Sequence, residues 1–164
     1  MSTATNILKA SLETSAFVVN AYLEDLSDDD LFIRPTENAN HIAWQLGHLI
    51  TAENGMINQV CSGSMPALPE GFAEQYSQET SGSDDREKFH TKADYLRLMA
   101  EQRAASLAAL EQVSDEDLEK PAPEEMREYV PTVGATFALL ATHALMHSGQ
   151  WVIVRRKLGR GRMF

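Results

Sequence analysis

The chain has 164 residues, 43% of them hydrophobic and 23% charged, an ordinary globular balance and enough length to bury a core without disulfides. Fourteen Lys and Arg against 24 Asp and Glu give a formal net charge of −10, a field that repels phosphate backbones and argues against nucleic acid as a partner. A single cysteine, Cys61, excludes an internal disulfide and a cysteine-rich zinc site. With no charged-then-apolar leader and no apolar run near ~18 residues, the expectation is one cytoplasmic domain over residues 1–164 with no membrane partner.

Helical periodicity dominates the chain. Residues 5–26 place Leu8, Leu12, Ala16, Val19, Leu23 and Leu26 on one face, without Pro or Gly to interrupt them. Ser27 and the three aspartates after it offer caps for a short helical turn, which Pro35 ends. Asn38 or Asn40 is placed to cap a second helix that runs to about Cys61 and carries the stripe Ile42, Leu46, Leu49, Glu53, Met56, Val60. Residues 62–90 then form a long connection rich in Pro, Gly, Ser and acidic residues. Connections of this length are usually functional or mobile, so this one is expected to cover the mouth of a pocket, anchored by Phe72 and Tyr76. Thr91 and Asp94 resemble a capping box and open a third helix with Leu96, Met99, Arg103, Ser106 and Leu110. Past Pro121, Pro123 and Pro131, the fourth helix spans about 132–158, and Gly159 is placed to end it.

The two halves echo each other. Leu26-Ser-Asp-Asp-Asp-Leu31 with Pro35 precedes the second helix, and Val113-Ser-Asp-Glu-Asp-Leu118 with Pro121 precedes the fourth. Each half reads as a long helix, an acidic capped turn, a proline and a histidine-bearing helix, so the predicted fold is an all-α four-helix bundle of two related hairpins, with a long connection between helices two and three.

Four positions separate His143 from His147, which puts the two about 40° apart around a helix and one turn apart along it, the spacing with which a helix offers two nitrogens to one metal. His147 lies within the stripe Val133, Phe137, Leu140, Ala144, His147, Trp151, Val154, Leu158, so the competing reading is a hydrogen-bonded core histidine. The internal echo brings helix two to the same core, and His48 is the third candidate ligand because it lies deeper in that helix than His41. His41, near the helix start, reads as a capping or surface histidine, and His90, in a polar run, as exposed. Three imidazoles leave coordination positions open, as catalytic sites do. Gln45 and Gln150, each three residues from a proposed ligand, are candidates to bond the histidines' second nitrogens. Glu53, acidic on an apolar stripe, is a candidate base or the edge of a solvated face. Arg155, Arg156 and Lys157 complement the negative end of the last helix or, alternatively, serve an anion site.

Trp44-Gln-Leu-Gly-His48-Leu, preceded by Arg34-Pro35, and His143-x-x-x-His147-x-Gly-Gln150, followed by Arg155, Arg156 and Leu158-Gly159, resemble the second and fourth helices of the DinB-like superfamily. The resemblance covers almost the whole chain. It implies a four-helix bundle, frequently a homodimer, with a divalent ion (zinc, nickel, manganese or iron) on a histidine triad. Carried over by position, that triad is His48, His143 and His147. Members include bacillithiol transferases and mycothiol-dependent maleylpyruvate isomerase, while others are described as metal-dependent hydrolases. The leading expectation is therefore a metal-dependent transferase that activates a low-molecular-weight thiol toward a small electrophilic substrate, with Arg155 or Arg156 contacting a carboxylate of the thiol cofactor. The alternatives are a hydrolase that activates water, with Glu53 or Gln150 as catalytic candidates, and a non-enzymatic metal- or small-molecule-binding stress-response module.

Overall fold

The structure, a computed structural model, describes residues 2–161 and 163. Four long helices carry the fold: α1 (Thr3–Leu23), α2 (Ile42–Val60), α4 (Lys92–Gln112) and α6 (Val133–Lys157). Two single-turn helices, α3 (Phe72–Gln75) and α5 (Asp115–Leu118), lie in the connections, and no strand occurs among the described residues.

Capping chemistry sets the helix boundaries. Ser2, Thr91 and Thr132 each accept the backbone N–H three residues on, at the starts of α1, α4 and α6. At the start of α2 neither Asn38 nor Asn40 is the cap; His41 is, as the capping reading of that buried residue expected, its Nδ1 accepting the N–H of Trp44 at 3.1 Å. Gly159, at φ +68°, ends α6 in the left-handed conformation that a side chain would strain, and Arg160 N–H closes back on the Arg155 carbonyl at 2.9 Å.

The internal echo is physical. Ser27 Oγ accepts the N–H of Asp30 while Asp30 Oδ2 accepts the N–H of Ser27, and Ser114 and Asp117 repeat the reciprocal pair. Yet the halves are not hairpins. The helix α1 packs chiefly on α6, and α2 on α4 and α6, with a sparser contact between α1 and α4. The pairs α1/α2 and α4/α6 therefore each lie across the bundle diagonal, joined by a connection that crosses one end, while α2 and α4 are neighbours. Exchanging α1 with α4 and α2 with α6 reproduces this set of neighbours, the relation expected of a duplicated half.

The core falls into two main clusters, one through Val19, Leu23, Leu46, Ile50, Trp151 and Val154 and the other through Leu12 and Phe137, all essentially inaccessible. The helix α6 is long and apolar enough by composition to cross a membrane, more so than the sequence suggested. Its apolar side is spent on the bundle, where Phe137, Leu140, Ala144 and Trp151 are buried.

The long connection after α2 is tightly seated. Phe72 and Tyr76 are both buried, as their anchoring role predicted. Tyr76 lies flat against the backbone of α2 at Gly47, where a Cβ would come within 2.2 Å of the ring. Its hydroxyl meets Tyr95 Oη and His90 Nδ1, each at 2.7 Å. His90 is thus half-buried and hydrogen-bonded rather than exposed, because the connection folds back onto α4. Residues 80–84 are stitched to the approach to α2. Arg34 pairs with Asp84 and donates to the Ala39 carbonyl, and His41 Nε2 donates to the Ser83 carbonyl at 3.0 Å.

Candidate metal centre

His48 projects from α2 and His143 and His147 from α6, into the seam where these two helices pack. One nitrogen from each ring lies within 4.8 Å of the others. Nε2 of His143 and Nε2 of His147 are 3.1 Å apart, a span that one ion bonded to both at about 2.1 Å bridges. With the His48 nitrogen within the same 4.8 Å, these three residues would hold a divalent ion. All three rings are half-buried. Burial lowers the pKa of His48, and burial together with the neighbouring imidazoles takes His143 and His147 down to about 4. At neutral pH the rings are uncharged, the state in which imidazole ligates.

Gln45 orients His147. Its Oε1 accepts from Trp151 Nε1 at 2.8 Å, a donor-only group that identifies the oxygen, and from His147 Nδ1 at 3.1 Å. The proton thus sits on Nδ1 and the lone pair on Nε2, toward His143. The Gln45 amide nitrogen donates to Asn40 O at 2.6 Å and to Gln150 Oε1 at 3.1 Å. Gln45 thereby fills the role given it by spacing, while Gln150 reaches the network through Gln45 and, among the described residues, makes no hydrogen bond to a histidine.

His48 is held differently. No hydrogen bond to its ring occurs among the described residues; Trp44 stacks on it at 5.0 Å and 8° between planes, and His143 and His147 meet it edge-on at 5.1 and 5.5 Å. Thr51, one turn beyond His48, has a buried hydroxyl with no partner among the described residues.

Glu53 faces elsewhere. Five residues past His48 it lies about 140° around α2, and both of its oxygens are bound by Arg103, at 2.8 and 3.0 Å. Arg103 also donates to Leu12 O and Ser15 Oγ, tying α1, α2 and α4 together. The apolar stripe made Glu53 look like a buried base, and its partner, 50 residues away, carried no local signal. Arg155 likewise engages a partner: it is buried, pairs with Asp25 through both terminal nitrogens, and caps the Tyr22 carbonyl. Arg156 is exposed and lines, with Arg155 and Arg160, a cavity of about 190 Å³ on the α1 side of the helix end. Trp44 and Gly47 were the positions that spacing alone did not single out; the one signal that reached Trp44 was the capping role expected of His41, three residues before it.

The sequence pattern of the DinB superfamily matches residues 11–151. The chain belongs to the DinB superfamily. Among solved structures, a conserved protein from Enterococcus faecalis superposes with a TM-score of 0.71 at 16% identity, covering 98% of this chain and 99% of that one. YfiT from Bacillus subtilis, described as a probable metal-dependent hydrolase with an unusual four-helix bundle topology, superposes with a TM-score of 0.65 at 15% identity, covering 98% and 91%. At these identities the likeness establishes the four-helix bundle fold. No functionally curated protein matches the sequence.

Proposed function

We propose that this DinB-like protein is a metal-dependent enzyme in which His48, His143 and His147 hold a divalent ion and a low-molecular-weight thiol is the nucleophile toward a small electrophile. The observation that carries the reading is the convergence of three neutral, half-buried imidazoles, one with its tautomer set by Gln45. A bound divalent ion would lower the pKa of a coordinated thiol so that it is present as thiolate at neutral pH.

The rest falls to the chain's own groups. Gln45 keeps the His147 lone pair on Nε2. Gln150 has accepted the Gln45 amide through its oxygen, so its own amide nitrogen is the donor available to orient a substrate. Trp44, buried and stacked on His48, keeps water from that side of the ring.

A hydrolase, with water in place of thiol, is the second reading, favoured by the description of YfiT. Against it, the acidic residue proposed as its base is occupied by Arg103. A homodimer is proposed on the weaker support of Ile7, Leu145 and Ile153, apolar and exposed on the neighbouring helices α1 and α6.

The test has two stages. Elemental analysis of the untagged protein is expected to find about one metal per chain, lost in His48→Ala, His143→Ala and His147→Ala. The loaded protein is then given a fluorogenic alkylating agent with cysteine or a larger cysteinyl thiol, and separately an ester without thiol. Conjugation that needs both metal and thiol supports the transferase; turnover of the ester alone transfers the reading to hydrolysis. A parent protein that takes up no zinc, nickel, manganese or ferrous iron removes both.

A further inference from the structure

The three candidate ligands are not oriented in the same way. His147 is fixed by a hydrogen bond to Gln45, and His143 lies 3.1 Å from His147 on the same helix. His48 makes no hydrogen bond among the described residues; its ring meets His143 and His147 edge-on and stacks on the face of Trp44, ring centroids 5.0 Å apart and planes within 8°. Trp44 is thus the one ring packed on His48, among the described residues, that is not itself a candidate ligand, and a change in the indole's angle would carry the imidazole with it.

The indole angle is set from outside α2. Trp44 Nε1–H donates to Thr80 Oγ1 at 3.1 Å, and the Thr80 hydroxyl in turn donates to the Gln75 carbonyl at 2.6 Å, with Ser77 O at 2.9 Å. Thr80 is thus a rigid acceptor, not a free rotor. Its segment is pinned on both sides, by Tyr76 seated on Gly47 and by His41 and Arg34 bonded to Ser83 and Asp84. One relay runs from the connection to the site: Gln75 carbonyl, Thr80 hydroxyl, Trp44 indole, His48 imidazole.

We infer that Thr80 and Trp44 are positioning residues for the third metal ligand, and that the 72–84 segment is a strap that sets His48 through the indole. The inference rests on the metal reading above. In this arrangement the strap stiffens the candidate ligand that has no hydrogen bond of its own among the described residues, and a strap that shifts would detune the site without touching a ligand.

The experiment measures metal alone. Zinc affinity is read by competition with a chromophoric chelator, and the ligand field by the visible bands of the cobalt(II)-loaded protein, for the parent, Thr80→Val, Thr80→Ser, Trp44→Phe and Trp44→Leu. Thr80→Val keeps the shape and removes the acceptor; it is expected to weaken zinc binding about tenfold and to shift the cobalt bands, as loss of an orienting partner does. Thr80→Ser restores both. Trp44→Phe, which keeps a stacking face, falls between the parent and Trp44→Leu. Thermal melts accompany each variant, since a purely structural contact lowers the melting temperature and leaves the cobalt spectrum where it was. Parental affinity and an unshifted spectrum in Thr80→Val overturn the relay, whether or not Trp44→Leu folds. A parent that binds neither ion overturns the metal reading itself, and the relay with it, so the two failures are told apart by the first titration.

Discussion

Gln45 accepts the Nδ1 proton of His147 at 3.1 Å while also accepting the indole N–H of the fully buried Trp151, so one amide oxygen joins the site to the core. Gln45→Leu is expected to act on both. The Trp151 N–H would be left buried without a partner, which costs about 1–3 kcal/mol of stability. His147 would lose the bond that selects its tautomer, which lowers metal affinity by about 10–100-fold. Zinc titration together with urea unfolding of the metal-free protein measures the two effects. Weakened folding with unchanged zinc affinity would show that His147 orients itself.

Glu53 is a structural partner in this fold. Its carboxylate and the Arg103 guanidinium are both buried, in a two-point pair that also reaches Leu12 O and Ser15 Oγ. Removing one member of a buried pair leaves the other uncompensated, so Glu53→Ala is expected to cost about 3–5 kcal/mol of stability. At a temperature where the variant is folded, its metal content and turnover should match the parent's. A fully folded Glu53→Ala protein with lost turnover would return Glu53 to the chemistry and favour hydrolysis.

Much of this arrangement was legible before any coordinates, and the parts that were not share a cause. The four long helices follow from local periodicity broken by Pro and Gly, and the His143–His147 pair from spacing within one helix. His48 followed from comparing the two halves, whose Ser27–Asp30 and Ser114–Asp117 turns prove to be bonded alike. What failed depends on distant partners. Helix adjacency was misread as two hairpins because the connections are long enough to cross the bundle ends, and no local pattern says whether they do. Glu53 meets Arg103, His90 meets Tyr76, and Arg155 meets Asp25 only once the chain has folded. Of the two readings of His41 the cap holds and the surface position does not, because the connection brings Ser83 O onto the ring's other nitrogen.

Gly47, next to the ligand His48, is required by a close approach. The Tyr76 ring occupies the space a side chain would fill, with three ring carbons within 2.3 Å of an added Cβ. Tyr76 cannot yield easily, since its hydroxyl is shared with Tyr95 and His90 inside the core. Gly47→Ala should therefore destabilise the protein by about 1–3 kcal/mol despite alanine's better helix propensity, the usual cost of overpacking. Thermal unfolding checks the sign. The double variant Gly47→Ala/Tyr76→Ala should lose less than the sum of the single changes, because the clash is gone.

His41 makes stability depend on pH. The ring is buried between Phe32 and Phe89, with Nδ1 accepting the Trp44 N–H and Nε2 donating to Ser83 O, an arrangement only the neutral ring can make. Burial lowers its pKa below the usual 6.5, opposed by the Ser83 carbonyl; Arg34 adds to the lowering and Asp84 opposes it. Above pH 6.5 the folded and unfolded chains are both neutral here, and the stabilisation is intact. As pH falls below 6.5 the unfolded chain takes up a proton that the folded ring refuses, so stability declines toward the folded pKa. In the metal-free protein His143 and His147 act in the same direction, extending the decline to about pH 4. Urea unfolding of metal-free protein at pH 7.5, 6 and 5 should show stability falling throughout. His41→Asn, which keeps a side-chain cap, should be less stable than the parent at pH 7.5 and should lose less between pH 7.5 and 5. Equal losses in the two proteins would show that His41 takes up its proton in the folded state as readily as in the unfolded one.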